Sequence, residues 1–438
     1  MKEEERSYFS DEDTSDALNR FKRSLLSGGK KYFDVSEFEG IVEQLLEEGD
    51  IKSSEIAAKQ GIQIHPNAVP LRLKYAQVLL NKGNFEEAIE HLNFVEKVET
   101  TNPDVFLIKG SAWLVLDNEI KAGKAFKKAI ETAEGDLDDI LYNIGMAYIQ
   151  SGDIPKAIQH FEEAVQTNPE NEAALYELGF FCDQQGDFEK SISYYNNYLD
   201  IDPFNFSTWF NLGITHNKAG NYDKAIEAYE FAQALNDNFH QAIFNIANAH
   251  ANSGKFREAI LKYHEYLKFD SKNDDAYCYI GECYLNLEDY TKSEKFYNKA
   301  IKINDGNDTA WFGVGLIMWI ERKYTESIVF IKKAIEIDEA NPEYWLTLAK
   351  VYNDFRHEKN AIKALKKAAR LEPENSEVWL TWVDVYLKSK DLKHAIHILK
   401  TAVNKNEDAI LKYRLVSLLL ESQNEPEAFE MLSSAMHQ

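Results

Sequence analysis

Leu141–Asn171 reads LYNIGMAYIQSGDIPKAIQHFEEAVQTNPEN, Leu175–Asn205 reads LYELGFFCDQQGDFEKSISYYNNYLDIDPFN, and Trp209–Phe239 reads WFNLGITHNKAGNYDKAIEAYEFAQALNDNF. Their starting points step by 34 residues. Each stretch has apolar residues at helical spacing, then Gly with Asp or Asn, then a second helical pattern. This predicts two short helices joined by a tight turn. Neither helix can bury its apolar face alone, so successive pairs must stack.

Extended outward, the period defines units starting at Val35, Val69, Pro103, Asp138, Glu172, Phe206, His240, Asp274, Asp308, Pro342, Ser376 and Ala409. Position 8 is small, reading Gly110, Gly145, Gly179, Gly213, Ala247, Gly281, Gly315 and Ala349. Position 20 is small as well, with Ala88, Ala122, Ala157, Ser191, Ala225, Ala259, Ser293, Ser327, Ala361, Ala395 and Ala428. Small residues let helices approach closely, and a larger one overpacks the contact at a cost of roughly 1–3 kcal/mol. Position 24 is mostly aromatic (Phe126, Phe161, Tyr195, Tyr229, Tyr263, Tyr297). Pro66, Pro169, Pro203 and Pro373 stand where a second helix must stop.

This spacing resembles the signature of the tetratricopeptide (TPR) repeat, in an array of about a dozen repeats covering nearly everything after residue 34. The outer units depart from it: Val42, Val383 and Val416 occupy position 8, and Ser54 faces Ala58 where an aromatic is usual. The resemblance implies an all-α fold, a right-handed α-solenoid superhelix running from 35 to 438. It also implies a protein-binding scaffold or adaptor that catalyses nothing.

In such arrays the first helix of each unit lines a concave groove through positions 2, 5, 9, 12 and 13. Carried onto this chain, those positions and their neighbours nominate Tyr142, Met146, Tyr176, Phe180, Phe210, Ile214 and Phe244, then a second cluster of Phe312, Leu316 and Trp319. Clustered exposed apolar surface marks partner sites, and aromatics dominate binding hot spots. The competing reading is that position 5 packs against the next unit. Asn143, Asn211, Asn245 and Asn248 can both donate to and accept from an extended peptide backbone. Glu177 interrupts that row, and locally bonded asparagines are the alternative. The paired cations needed to clamp a C-terminal carboxylate are missing, since Lys109 and Lys218 lie far apart and Lys350 stands beside Asp354. Asp139, Asp183, Glu282, Asp354 and Asp384 instead suggest partners with basic residues among apolar ones.

Composition sets further bounds. A formal net charge of −24 over 438 residues argues against nucleic acid, which is held by Lys and Arg. No stretch is long and apolar enough to span a membrane, and the first residues lack a signal-peptide core. Three cysteines, Cys182, Cys278 and Cys283, fit a reducing compartment, so a cytoplasmic location is expected. Asn205-Phe206-Ser207 and Asn307-Asp308-Thr309 match the glycosylation pattern, a coincidence in that setting. HExxH, GxxxxGK[ST], GxSxG and GxGxxG are all lacking, and Cys278 and Cys283 have no second ligand pair. No cofactor or metal is expected. Residues 1–16 are acid-rich and predicted to be a disordered arm. Residues 17–34 begin with a short helix presenting Leu18, Phe21 and Leu25 on one face, either a cap on the first unit or an anchor. At the other end Phe429, Met431, Leu432 and Met436 leave an apolar edge that is a candidate for self-association.

Overall fold

The computed structural model describes residues 11–27, 31–406 and 408–436. Among them lie 25 helices and no strand. Packing divides the chain into two compact units, Met1–Thr215 and His216–Gln438.

The first unit opens with α1 (Asp11–Ser27). Helix pairs follow: α2 (Val35–Glu47) with α3 (Ile51–Ile64), α4 (Val69–Lys82) with α5 (Phe85–Val98), and α6 (Pro103–Val115) with α7 (Glu119–Thr132). Next come α8 (Leu137–Ser151) with α9 (Ile154–Thr167), and α10 (Glu172–Gln184) with α11 (Phe188–Ile201). The boundary falls within α12 (Phe206–Lys218). The second unit continues with α13 (Tyr222–Leu235), α14 (Gln241–Asn252) with α15 (Phe256–Tyr266), and α16 (Asp274–Asn286) with α17 (Tyr290–Ile303). It ends with α18 (Asp308–Ile320) and α19 (Tyr324–Ile337), α20 (Pro342–Asp354) and α21 (Glu358–Leu371), α22 (Ser376–Lys388) and α23 (Leu392–Val403), and α24 (Ala409–Glu421) and α25 (Glu425–Met436).

Helix starts are set by short polar caps that satisfy otherwise orphaned N–H groups. Asn171 accepts the Ala174 N–H at 2.9 Å at the head of α10, and Asp153 accepts the Lys156 N–H at 3.2 Å at the head of α9. The small residues at position 8 face position 24 of the same unit. A Cβ added to Gly110, Gly145, Gly179 or Gly281 would meet the ring of Phe126, Phe161, Tyr195 or Tyr297 at 2.3, 2.5, 2.6 and 2.9 Å. The exclusion of bulk therefore acts first between the two helices of one hairpin. Neighbouring hairpins meet the same ring from its other side, as at Gly313, whose added Cβ would lie 2.3 Å from Tyr297. Where position 20 is Ser, its hydroxyl donates to the position 8 carbonyl: Ser191 to Gly179 at 2.8 Å, Ser293 to Gly281 at 2.7 Å, Ser327 to Gly315 at 2.8 Å. The divergent outer units still form, with Val42, Val383, Val416 and Ser54 all buried.

Helix α1 begins at Asp11, earlier than the acid-rich composition suggested, so residues 11–16 are helical and not an unstructured arm. Residues 1–10 lie outside the described residues. Acids in a helix's first turns are favoured by its dipole, and Asp16 pairs with Arg20 one turn on at 3.2 Å. Ala17, Leu18 and Phe21 are buried in the cluster that holds Phe33, Phe38 and Ile41, and Phe21 meets the Phe33 ring at 6.0 Å. Arg20 pairs with Glu37, and Lys22 with Glu48 at 2.6 Å. These contacts lay α1 over the start of the first hairpin. At the other end Phe429 is exposed and Met431 is partly buried, while the side chains of Leu432 and Met436 lie outside the described ones.

Candidate protein-binding site

The nominated residues separate into packing residues and surface residues. Phe312 is only 6% exposed and lies 4.6 Å from the Tyr344 ring of the next hairpin, so it belongs to the core and not to a binding surface. Packing also claims part of the other position 5 residues. Tyr142 is half-buried against Phe161 at 5.6 Å, and Tyr176 meets Tyr195 and Tyr198, each at 6.1 Å. Phe244 is half-buried among Tyr263, Tyr266 and Tyr279. Met146, Phe210 and Ile214 are likewise half-buried. Phe180 is 41% exposed, with its edge on Phe181. Leu316 and Trp319 pack partly on the core of the second unit.

The asparagines divide too. Asn143 donates to the Asp139 carbonyl of its own helix at 2.8 Å while staying exposed, and Asn211 donates to the Tyr176 hydroxyl at 2.8 Å, so each has one local hydrogen bond. Asn248 accepts from Tyr263 Oη at 2.6 Å, which aims its amide along the face shared by α14 and α16; its contact to Asn245 is long, 3.5 Å. A depression of about 290 Å³ opens there. Asn217, Asn248, Asn252, Tyr279, Glu282 and Asn286 line it, with Tyr263 and Cys283. Asn252 donates to Asn217 at 3.4 Å, and Asn286 to the Glu282 carbonyl at 3.0 Å. Tyr279 lies open beside it, its ring 5.8 Å from Tyr263. Four carboxamides from α12, α14 and α16 thus converge with one carboxylate and one tyrosine in the second unit.

Sequence reasoning named Asn248 and Glu282 but passed over Asn217, Asn252, Tyr279 and Asn286. The asparagines left a signal, because Asn stands at position 12 of one unit (Asn217) and position 13 of the next two (Asn252, Asn286).

The electrostatics follow from partial burial. Glu282 is reached by water yet is ringed by protein, and this loss of surrounding solvent raises its pKa, with the charge of Glu343 adding to it. Burial likewise raises Asp139, assisted by Asp138 and Asp136. The remaining acids are already engaged. Asp183 is buried and accepts from Thr215 at 3.2 Å, Asp354 accepts from Trp319 and Lys388, and Asp384 lies 3.8 Å from Arg414. Burial raises the Cys278 thiol and pushes Cys283 up to about 12, which suits packing and not metal ligation. Among the described residues no group of His, Cys, Asp or Glu is arranged to hold a metal ion, and no helix is long and apolar enough to cross a membrane.

Helix pairs recurring every 34 residues, each stacked on the next within its unit, define a helical-repeat protein. The chain belongs to the tetratricopeptide-repeat family. Models described as tetratricopeptide repeat match residues 45–109, 142–206 and 206–239. Residues 239–438 match the model described as cilia and flagella-associated protein 70 C-terminal domain. Curated proteins give no significant match. Solved structures similar to the chain include the C-terminal part of a TPR repeat-containing protein from Cytophaga hutchinsonii, at 19% identity and TM-score 0.46, over 55% of this chain and 99% of that one. The APC/C hetero-tetramer Cut9–Hcn1 is similar at 13% identity and TM-score 0.43, over 93% of this chain and 94% of that one. MamA is similar at 26% identity and TM-score 0.34, over 37% of this chain and 95% of that one.

Proposed function

We propose that the chain is a protein–protein interaction scaffold whose α14–α16 face holds an extended segment of a partner. The carrying observation is the convergence of Asn217, Asn248, Asn252 and Asn286 around one depression. Carboxamides donate and accept, so they satisfy both backbone groups of an extended peptide whatever its side chains. Tyr279 and the exposed part of Phe244 offer apolar contact, and Glu282 favours a basic side chain, whose positive charge would offset the cost of ionising a recessed carboxyl. Affinity purification with mass spectrometry tests this, comparing wild type with a folded Asn248→Ala/Asn252→Ala/Tyr279→Ala variant. Loss of specific partners from the variant is expected, and identical partner sets contradict the site.

A second reading is a structural subunit of a larger assembly, which the likeness of residues 239–438 to a cilia and flagella-associated protein favours. On that reading the cellular location is a cilium or flagellum in place of the bulk cytoplasm. A tagged chain that fractionates with the axoneme and resists detergent extraction would support it; a fully detergent-soluble chain would count against it.

A further inference from the structure

Helices α18, α20 and α22 end near a rim with a different chemistry. In six hairpins the left-handed turn residue is glycine: Gly49, Gly83, Gly152, Gly186, Gly220 and Gly254. At the corresponding turns after α18 and α20 it is Arg322 and Arg356, both at φ 61°. That conformation strains any L residue. Asp117, Glu288, Lys390 and Gln423 also accept it, so charge and polarity are tolerated there, but the two arginines have a shared setting. A depression of about 880 Å³ is lined by Trp319, Arg322, Asn353, Asp354, Arg356 and Lys388, among others. Its Asp354 is already satisfied, accepting from Trp319 Nε1 at 3.0 Å and from Lys388 Nζ at 3.4 Å. Glu358 is the other acid at the rim. Among the described residues neither guanidinium has an ion-pair or hydrogen-bond partner, although the chain carries 73 acids against 49 bases. Favourable placement of a cation past a helix C-terminus accounts for one positive charge at each turn. It does not account for two unpaired guanidiniums beside one concave surface with an indole next to them.

We propose that this rim is a binding site for an acidic peptide segment, separate from the carboxamide-lined depression. Carboxylates would bridge to Arg322 and Arg356 through paired N–H donors, Lys388 would add charge, and Trp319 with the exposed Ile320 would receive an apolar side chain between the acids. The two guanidiniums stand at the turns, while Trp319 and Lys388 come from the ends of the first helices α18 and α22.

The test uses the full chain and fluorescence anisotropy of a short fluorescein-labelled peptide alternating Glu with Leu, its Gln-for-Glu counterpart, and a labelled RNA oligonucleotide. The variant is Arg322→Gly/Arg356→Gly, in which glycine relieves the turn conformation, so the helical fold is retained and is checked by circular dichroism. Wild type should bind the Glu peptide, more weakly as salt rises. The variant should lose at least about tenfold in affinity. Asn248→Ala/Asn252→Ala should bind it as wild type does. Equal affinity in the arginine variant, equal binding of the Gln peptide, or binding of RNA but not the Glu peptide overturns the proposal.

Discussion

Substituting Gly145 with Val probes the close approach of positions 8 and 24 within a central hairpin. The added Cβ would stand 2.5 Å from Phe161 Cε1 and 2.7 Å from Cδ1. Carbon atoms pack best about 3.5–4.0 Å apart, so the ring must retreat by about 1 Å. It has nowhere to go: Phe161 is fully buried, with Tyr142 at 5.6 Å and Phe181 at 6.4 Å. Overpacking of this kind costs about 1–3 kcal/mol, and the better helix propensity of Val returns only a few tenths of that. A net loss of about 2 kcal/mol in a unit of this size lowers Tm by about 4–8 °C. Scanning calorimetry should place the whole shift in the transition of the first unit. Gly123→Ala is the matched control, since its added Cβ meets nothing within 4 Å on the exposed side of α7. It should gain about 0.5–1 kcal/mol from helix propensity alone. An unchanged or raised Tm for Gly145→Val would refute the close-approach argument, and so would a fall in Tm for Gly123→Ala.

Further predictions concern the ends and the histidines. Phe21→Ala removes a fully buried ring from beneath α1 and should cost about 3–5 kcal/mol in urea unfolding; no loss would mean that α1 does not cap the array. Burial lowers the pKa of His216 and His250, whose buried Nδ1 atoms have no partner in the fold. The unfolded chain therefore takes up these protons first. Stability is full above the ordinary histidine pKa of about 6.5, falls as pH drops below it, and levels off beneath the folded-state values. The urea midpoint of wild type should fall between about pH 7 and pH 5.5 more steeply than that of His216→Gln/His250→Gln; parallel curves would exclude these two side chains as the cause.

The hairpin register was legible because it rests on exclusion. A glycine or alanine where bulk cannot fit leaves a mark in the sequence that composition does not blur. Helix starts at Val69, Pro103, Glu172, Phe206, Asp274, Asp308, Pro342, Ser376 and Ala409 fall where the period put them, while α8 and α14 differ by a residue. The binding surface was less legible. Phe312 and Phe244 share position 5, yet one is buried under Tyr344 and the other is partly open beside Tyr279, because exposure depends on the residue that the next hairpin supplies. The asparagines at positions 12 and 13 were overlooked for a related reason: an amide near a helix end reads as a cap until neighbouring helices bring several together. The left-handed arginines were passed over although the register marks them: they stand at position 15, where six other units carry glycine. The start of α1 was hidden by its acids, which signal disorder in isolation and stabilise a helix N-terminus once Phe21 anchors the rest.

The central functional claim is that partners contact the α14–α16 depression. Site-specific photo-crosslinking in cells tests it most directly, with a benzophenone amino acid placed at Asn252 in the depression or at the exposed Leu261 on α15. The account predicts a discrete crosslinked partner from Asn252 that Leu261 does not yield. The same product from both positions, or none from Asn252 in cells where the chain is bound to partners, would contradict it.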